Sequence, residues 1–422
     1  MTTTTTTATT SITGTAAPTP RRLRLFRLIA LILPILLLIL TEALLHLFHY
    51  GYDTSVFITA PGNNDYLVFN PDASKQYFSD PLLATSGNRE LFHKTKQPGT
   101  LRIFVLGEST TIGYPYFHNG SFHRWLQYRL MRTNPGKKIE IINVSLTAVN
   151  SYTVLGFARE VVKQEPDAVL IYTGHNEFYG ALGVASTSRL GSTPWLINTL
   201  LWLRQWRLFQ LLTRIFHALT HLFSTGPPKT GHTRMELMVA DQQIAFGSPL
   251  YASGIRQFRT NMDETLALFH HSGIPVFLSN LVSNLKDQRP LNSFTTTHLA
   301  ADPTHPDADP TNTGADSAHP DPANALYNFT LAGQAWQRGD YPTAKQDYIL
   351  AKDLDALRFR APETLNDIID SLCKRYRENT FLVDTRAAFE AASDHGIIGN
   401  SLLLEHVHPN LTGYALISDV FY

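Results

Sequence analysis

Arg102-Ile103-Phe104-Val105-Leu106-Gly107-Glu108-Ser109-Thr110 is the stretch that decides how this chain reads. A short apolar run, Arg102 to Leu106, stops at a glycine, and a serine follows two residues later. Ile139 to Asn143, Ala168 to Thr173 and Ile274 to Ser279 repeat the short apolar run, and Phe381 to Asp384 is a fifth candidate. Helical-looking stretches separate the first three. Short apolar runs alternating with helices predict an α/β fold whose parallel sheet is covered on both faces. In such sheets the working residues gather beyond the carboxyl ends of the strands, which is where Ser109 falls. A serine at a strand-to-helix turn exposes its hydroxyl and sets its amide near a helix N-terminus, which suits attack and oxyanion binding. Serine also caps helices at such turns, so this block alone is ambiguous.

Composition turns attention to a local site. Lys plus Arg and Asp plus Glu are 35 each in 422 residues, so no global field draws the chain to nucleic acid or another acidic polymer. The length favours one sizeable core with appendages over two equal halves. The single cysteine, Cys373, excludes an internal disulfide framework and a multi-cysteine metal site, and reads as a buried structural thiol.

The N-terminus divides into three. Residues 1–20 are a Thr-rich tail whose composition predicts disorder. In 21–50, Arg21, Arg22, Arg24 and Arg27 precede an apolar run from Leu28 to about Phe48, close to the roughly 20 residues that cross a bilayer as a helix. Pro34 is tolerable in such a helix, and Glu42 and His46 lie near its far end. A cleaved signal peptide is the alternative, but no small-residue cleavage site follows cleanly. The arginines put the N-terminus in the cytoplasm, so the expected protein is single-pass with its catalytic domain periplasmic or extracellular. Residues 51–98, rich in Tyr, Phe, Asn and Pro, read as an arm leading to the core.

Two insertions interrupt the α/β rhythm. Residues 193–223 carry Trp195, Trp202, Trp206, Phe209 and Phe216 with Arg204, Arg207 and Arg214 interleaved, as in one or two amphipathic helices. Such a stretch suits a membrane surface, the protein core or a partner equally. Residues 291–325, full of Asp-Pro, His-Pro and Thr, predict an exposed disordered loop with solvated histidines. In 326–378, Ala332, Ala335, Gly339, Tyr341, Ala344, Tyr348 and Ala351 fall where a tetratricopeptide repeat places its small and aromatic residues. One repeat cannot bury its own face, so it must pack on the main domain or on a helix such as Thr364 to Tyr376. It serves either as a brace or as a surface for a protein partner.

Three further blocks follow the first in order. Asn143-Val144-Ser145-Leu146-Thr147-Ala148-Val149-Asn150-Ser151 follows the second strand, Gly174-His175-Asn176-Glu177 the third, and Glu405-His406-Val407-His408-Pro409-Asn410 lies near the C-terminus. Together the four resemble the SGNH (GDSL-type) hydrolases. The resemblance covers about residues 100–290 and 379–422, and implies a three-layer α/β/α flavodoxin-like fold and acyl-ester hydrolysis. Gly174 to Gly180 and Arg358-Phe359-Arg360-Ala361-Pro362 resemble, more closely, bacterial members with a tetratricopeptide-like insert. It assigns core segments 99–290 and 379–422 around the helical insert.

By that resemblance Ser109 is the nucleophile, His408 the general base, and the amides of Ser109 and Ala148 with the Asn176 side chain form the oxyanion hole. Gly107, Glu108, Gly174, His175 and Glu177 are supporting residues. A serine needs an adjacent base to attack at neutral pH, and histidine turns over its proton there. The chain departs from the family in three ways. Ala148 replaces a glycine and narrows the acyl pocket; Glu405 stands where the acid is usually Asp; and Glu108 and Glu177 replace aspartates in loop-stabilising positions. His406 and His408 share a strand face as metal ligands can, but no third ligand is apparent, and no metal or cofactor is assigned. Asn410, Gly413 and Tyr414 belong to a turn and final helix, in which the sequence ends at Tyr422, as a fragment or a short C-terminus does.

The function expected is removal of a small acyl group, most of all acetyl, from a carbohydrate or envelope component. Acyl transfer to a sugar hydroxyl by the same residues is one alternative. A scaffold with a vestigial site, binding a partner through its helical insert, is another. The Trp-rich stretch also suggests a lipase, but it needs only a membrane surface.

Overall fold

The computed structural model describes residues 20–186, 194–223, 243–293 and 322–422. The Thr-rich tail up to residue 19 and most of the Asp/Pro/Thr loop therefore lie outside the described residues. The chain divides into two compact units, residues 1–52 with 206–225, and residues 53–205 with 226–422.

In the larger unit, five strands form one parallel sheet: β4 (Thr100–Gly107), β5 (Lys138–Asn143), β6 (Ala168–Tyr172), β7 (Val276–Ser279) and β8 (Thr380–Val383). They match the five apolar runs of the sequence. Their order, β5-β4-β6-β7-β8, is the 2-1-3-4-5 order of flavodoxin-like sheets. Register places Val105 opposite Asn143 and Gly107 opposite Tyr172, so the carboxyl ends of β4, β5 and β6 come level. The chain leaves β4 toward β5 on one side and crosses to β6 on the other, the kind of switch point at which open α/β sheets bind their ligands.

Side chains alternate between two cores. Phe104, Leu106, Val169, Ile171, Val276 and Leu278 pack with helices Ser151–Val161, Pro249–His271 and Glu363–Arg375. Ile103, Val105, Ile141 and Leu170 pack with Phe122–Thr133, Thr385–Ala391 and Leu411–Phe421. With apolar residues on both faces, the strands read as continuous hydrophobic runs, and the three-layer α/β/α architecture follows. Cys373 is buried in the first core, where burial pushes its thiol up to about 12.

The segment read as an arm is a three-stranded antiparallel sheet: β1 (Phe57–Ala60), β2 (Asn63–Phe69) and β3 (Leu91–His93). Its apolar residues belong to the main core. Phe57 and Phe92 meet Phe104 of β4 edge-on at 5.7 and 5.4 Å. Beneath them the buried Arg102 donates to Glu140 on β5 at 2.9 Å and to the carbonyl of His93 at 2.7 Å. A guanidinium can be buried here because its donors are met by a carboxylate and two carbonyls.

Helices Ala325–Gln337 and Tyr341–Leu354 form a hairpin across Arg338-Gly339-Asp340. Ala332, Ala335, Ala344 and Tyr348 are buried in its seam together with Leu285 and Ile397 of the core. The structure also splits residues 193–223 between the units. Pro194–Arg204 belongs to the larger one, where Ile197 is buried and Arg204 donates to the carbonyl of Gln76 at 2.9 Å.

Arg207–Phe223 belongs to the smaller unit with helix Pro20–Leu47. Phe26–Leu47 is 22 residues long with a mean hydropathy of 2.8, enough in length and composition to cross a bilayer or to serve as a signal sequence. Near its end, Glu42 accepts hydrogen bonds from the backbone N–H groups of Arg207 and Leu208, both at 2.8 Å.

Candidate active site

Ser109 opens a single helical turn, Ser109–Ile112, directly after β4. The turn requires Gly107. A Cβ there would lie 2.1 Å from the carbonyl oxygen of Tyr172 and 2.2 Å from the Thr111 hydroxyl, closer than any side chain tolerates. Thr111 in turn donates to that same carbonyl at 2.6 Å, and Asn143 at the end of β5 donates to the Thr111 carbonyl at 2.7 Å. The serine is thus presented by a turn stitched to both neighbouring strands.

The chain returns 299 residues later to place His408 Nε2 2.7 Å from Ser109 Oγ. The Glu405 carboxylate contacts His408 Nδ1 and also accepts the His408 backbone N–H at 3.0 Å. With Nδ1–H facing the carboxylate, Nε2 is left as the acceptor and the serine hydroxyl donates to it. The other Glu405 oxygen meets His406 Nδ1, so one carboxylate serves two imidazoles. The longer arm of Glu is therefore held by two hydrogen bonds from His408 to one oxygen, while its other oxygen, though it contacts His406, has no hydrogen-bond partner among the described residues.

Burial lowers His408 to about 4 and, with His408 beside it, His406 to about 3, so both rings are neutral at pH 7. A neutral ring is the form that accepts a proton. The loop carrying them is held from outside: Asn284 after β7 donates to the His406 carbonyl at 2.9 Å, and Tyr114 lies over the His408 ring at 4.8 Å.

At positions 109, 148 and 176, the backbone N–H of Ser109, the backbone N–H of Ala148 and the side-chain amide of Asn176 make no hydrogen bond among the described residues. Ala148 has φ of 59°, the left-handed region that costs a residue with a Cβ about 1–2 kcal/mol. That strain is held by its neighbours, since its carbonyl accepts from Ala181 at 2.9 Å and the preceding carbonyl, of Thr147, accepts from Thr85 at 2.8 Å.

Glu108 is buried beneath this loop. Its carboxylate accepts from the Thr173 hydroxyl at 2.7 Å and from the backbone N–H groups of Gly174 and Asn176 at 2.9 and 3.0 Å. The residue next to the serine therefore fixes the backbone that carries Asn176. Burial raises Glu108 to about 7 against the opposing pull of those donors. Glu177 is buried as well, accepts from Ser151 and Gln257 at 2.8 and 2.6 Å, and is raised by burial to about 8. Gly174 adopts φ of 143°, and a Cβ there would reach 2.6 Å from Leu281.

His175 is buried, close enough to His406 and His408 to interact with both, but makes no hydrogen bond to Ser109 or His408 among the described residues. Its Nδ1 accepts the Ala361 N–H at 3.3 Å, and burial drives its pKa well below the usual imidazole range. Neighbouring Arg360 donates to the carbonyls of Asn284 and Gln288 at 2.9 and 3.0 Å and pairs with Asp355 at 3.1 Å. Arg360 thus holds the loop that holds His406. The sequence reading assigned no role to Arg360, Thr173 or Ser151; two arginines spaced across an aromatic residue, Arg358 and Arg360, were the available signal.

No protein-family profile and no curated protein matches this sequence. Among solved structures, it is similar to an acetyl xylan esterase, AlAXEase, at 14% identity over 76% of this chain and 97% of that one, with a TM-score of 0.36. A GDSL-like lipase from Bacteroides thetaiotaomicron matches at 11% identity over 78% and 89%, TM-score 0.36. Axe2, an acetylxylan esterase from Geobacillus stearothermophilus, matches at 11% identity over 76% and 91%, TM-score 0.36. Likeness at this level transfers no activity, so the chemistry rests on the geometry above.

Proposed function

We propose that this protein is a serine ester hydrolase of the SGNH type, with Ser109 as nucleophile, His408 as general base and Glu405 as the acid that orients it. The observation that carries the proposal is the Ser109 Oγ to His408 Nε2 hydrogen bond of 2.7 Å, with the Glu405 carboxylate at Nδ1.

In this reading His408 Nε2 takes the Ser109 proton as Oγ attacks the ester carbonyl. The negative charge that develops on the carbonyl oxygen is met by the N–H groups of Ser109 and Ala148 and by the Asn176 amide, each worth on the order of 3 kcal/mol. Collapse expels the alcohol, which takes the proton from His408. Water, deprotonated by His408, then attacks the acyl-serine; the carboxylic acid leaves, and Ser109 regains its proton. Glu405 stabilises the imidazolium formed in each half.

The substrate proposed is a small acyl ester, an acetyl group on a carbohydrate or envelope component. The methyl group of Ala148 at the oxyanion position supports a short acyl chain. The chain is further proposed to be anchored by Phe26–Leu47, N-terminus in the cytoplasm and catalytic unit outside, which the arginines before that helix support. The helical insert is proposed as a brace, because its seam closes on Leu285 and Ile397.

The test uses the full chain. A serine-directed fluorophosphonate should label Ser109, and short-chain aryl esters should turn over with a rate that falls as the acyl chain lengthens. No labelling and no turnover defeats the proposal. Product analysis with a sugar acceptor present distinguishes transfer from hydrolysis.

A further inference from the structure

Helix Arg207–Phe223 has two different sides. One is occupied by its own unit. The N-terminal N–H groups are capped by Glu42, and Gln210 exchanges two hydrogen bonds with the backbone of Tyr52, accepting its N–H at 3.0 Å and donating to its carbonyl at 3.2 Å. Arg207 and Arg214 fall on that same half of the helix wheel. About half a turn away, Leu212, Ile215 and Leu219 form a stripe at helical spacing and are 56, 47 and 51% exposed. Leu208 and Leu211, earlier in the helix, are half-buried, but this stripe is uncovered, as a surface that meets another apolar phase is.

We infer that helix Arg207–Phe223 is a second membrane element, lying in the outer interface of the same bilayer that Phe26–Leu47 spans, with Leu212, Ile215 and Leu219 dipped into lipid. The inference rests on the membrane-spanning reading above. Its specific support is the place of the cap. Glu42 lies five residues before the end of the apolar helix Phe26–Leu47, about 7.5 Å along its axis at 1.5 Å per residue. Interfacial amphipathic helices bury their apolar face about 5–10 Å into the headgroup and acyl boundary, the same depth. Arg207 and Arg214 have chemistry suited to lipid phosphates.

The cap also explains a costly residue. A carboxylate set within the last turns of an apolar helix is unfavourable unless paired, and the positive end of a second helix supplies two N–H donors and a favourable dipole.

Nitroxide labels in the full chain, reconstituted into bilayers of phosphatidylethanolamine and phosphatidylglycerol, test this. With Cys373→Ala to remove the native thiol, single labels are attached after Ile215→Cys, Leu219→Cys, Arg214→Cys and Leu36→Cys. Labels at 215 and 219 should be about threefold or more as accessible to oxygen, relative to a water-soluble nickel chelate, as the label at 214, and shallower than the label at 36. If labels at 215 and 219 match 214 in nickel accessibility, or are shielded from both reagents as by a protein partner, while 36 is in lipid, the interfacial assignment fails alone. If 36 is also water-accessible, the spanning reading fails with it.

Discussion

Two glutamates serve the same serine from opposite sides, and their surroundings differ. Glu108 is 2% exposed and surrounded by donors, and the hydrogen bonds its carboxylate accepts all come from the loop 173–176. The Glu405 side chain is 36% exposed and bonds to the imidazole that touches the serine. On the proposed roles, the sealed carboxylate shapes the backbone that carries the oxyanion donors, and the more open one meets charge that appears only during reaction. A buried carboxylate is expensive, and its cost is sustained where it fixes geometry; a partly solvated one can respond to a new positive charge without a large penalty.

This contrast can be broken experimentally. The largest effect belongs to the residue between them. Ser109→Ala should lower ester turnover by about 10⁴-fold or more with an unchanged melting temperature, as steady-state kinetics and thermal melts will show. Glu108→Ala strands three buried donors and should destabilise the fold by about 2–4 kcal/mol in denaturant titrations. Glu405→Ala should do the reverse, costing about 10²-fold in kcat with under 1 kcal/mol of stability. If Glu108→Ala leaves stability intact, or Glu405→Ala unfolds the protein, the two roles have been assigned wrongly.

The pH dependence sharpens the same division. Glu108 and Glu177, raised from 4.5 to about 7 and about 8, hold protons in the native state that the unfolded chain has released, so they lower stability as pH rises through that range. His406 and His408, lowered from 6.5 to about 3 and about 4, act oppositely and add stability as pH rises from about 4 to 6.5. The melting temperature should therefore change little between about pH 4.5 and 6.5, where the two pairs offset, and fall above pH 6.5, a decline that Glu177→Gln makes shallower; a curve still rising at pH 8 contradicts this. Activity follows His408 alone on the acid side, so kcat/KM should rise through about pH 4. The smallest effect is at the strained alanine. Ala148→Gly relieves the left-handed backbone and changes stability by about 1 kcal/mol or less, because the glycine gains unfolded-state entropy in compensation. Its signature is in kinetics, as a relative gain for longer acyl esters.

The sheet was legible because its strands are buried on both faces and so are short unbroken apolar runs, from Ile103 to Leu106 and from Ala168 to Tyr172. The four motif blocks were legible because each sits directly after a strand or next to a turn. The β1–β3 sheet was not: its strands are short, β2 begins with three exposed residues, and it is ordered by packing Phe57 and Phe92 on Phe104 rather than by local pattern. Residues 193–223 showed helical amphipathicity but not which unit each helix joins, since that depends on Glu42, more than 160 residues away. Thr173 was invisible as a support for the same reason, and Arg360 was marked only by its spacing from Arg358, because the loops they hold are distant in the chain.

The 2.7 Å contact between positions 109 and 408 also orders events during synthesis. On the proposed roles, a growing chain holds the serine, the oxyanion loop and the whole helical insert before the base that would activate the hydroxyl exists. Until the C-terminal segment docks against the β7 loop, the serine is an ordinary alcohol. The proposed base thus reaches the serine only after a further 299 residues have been made.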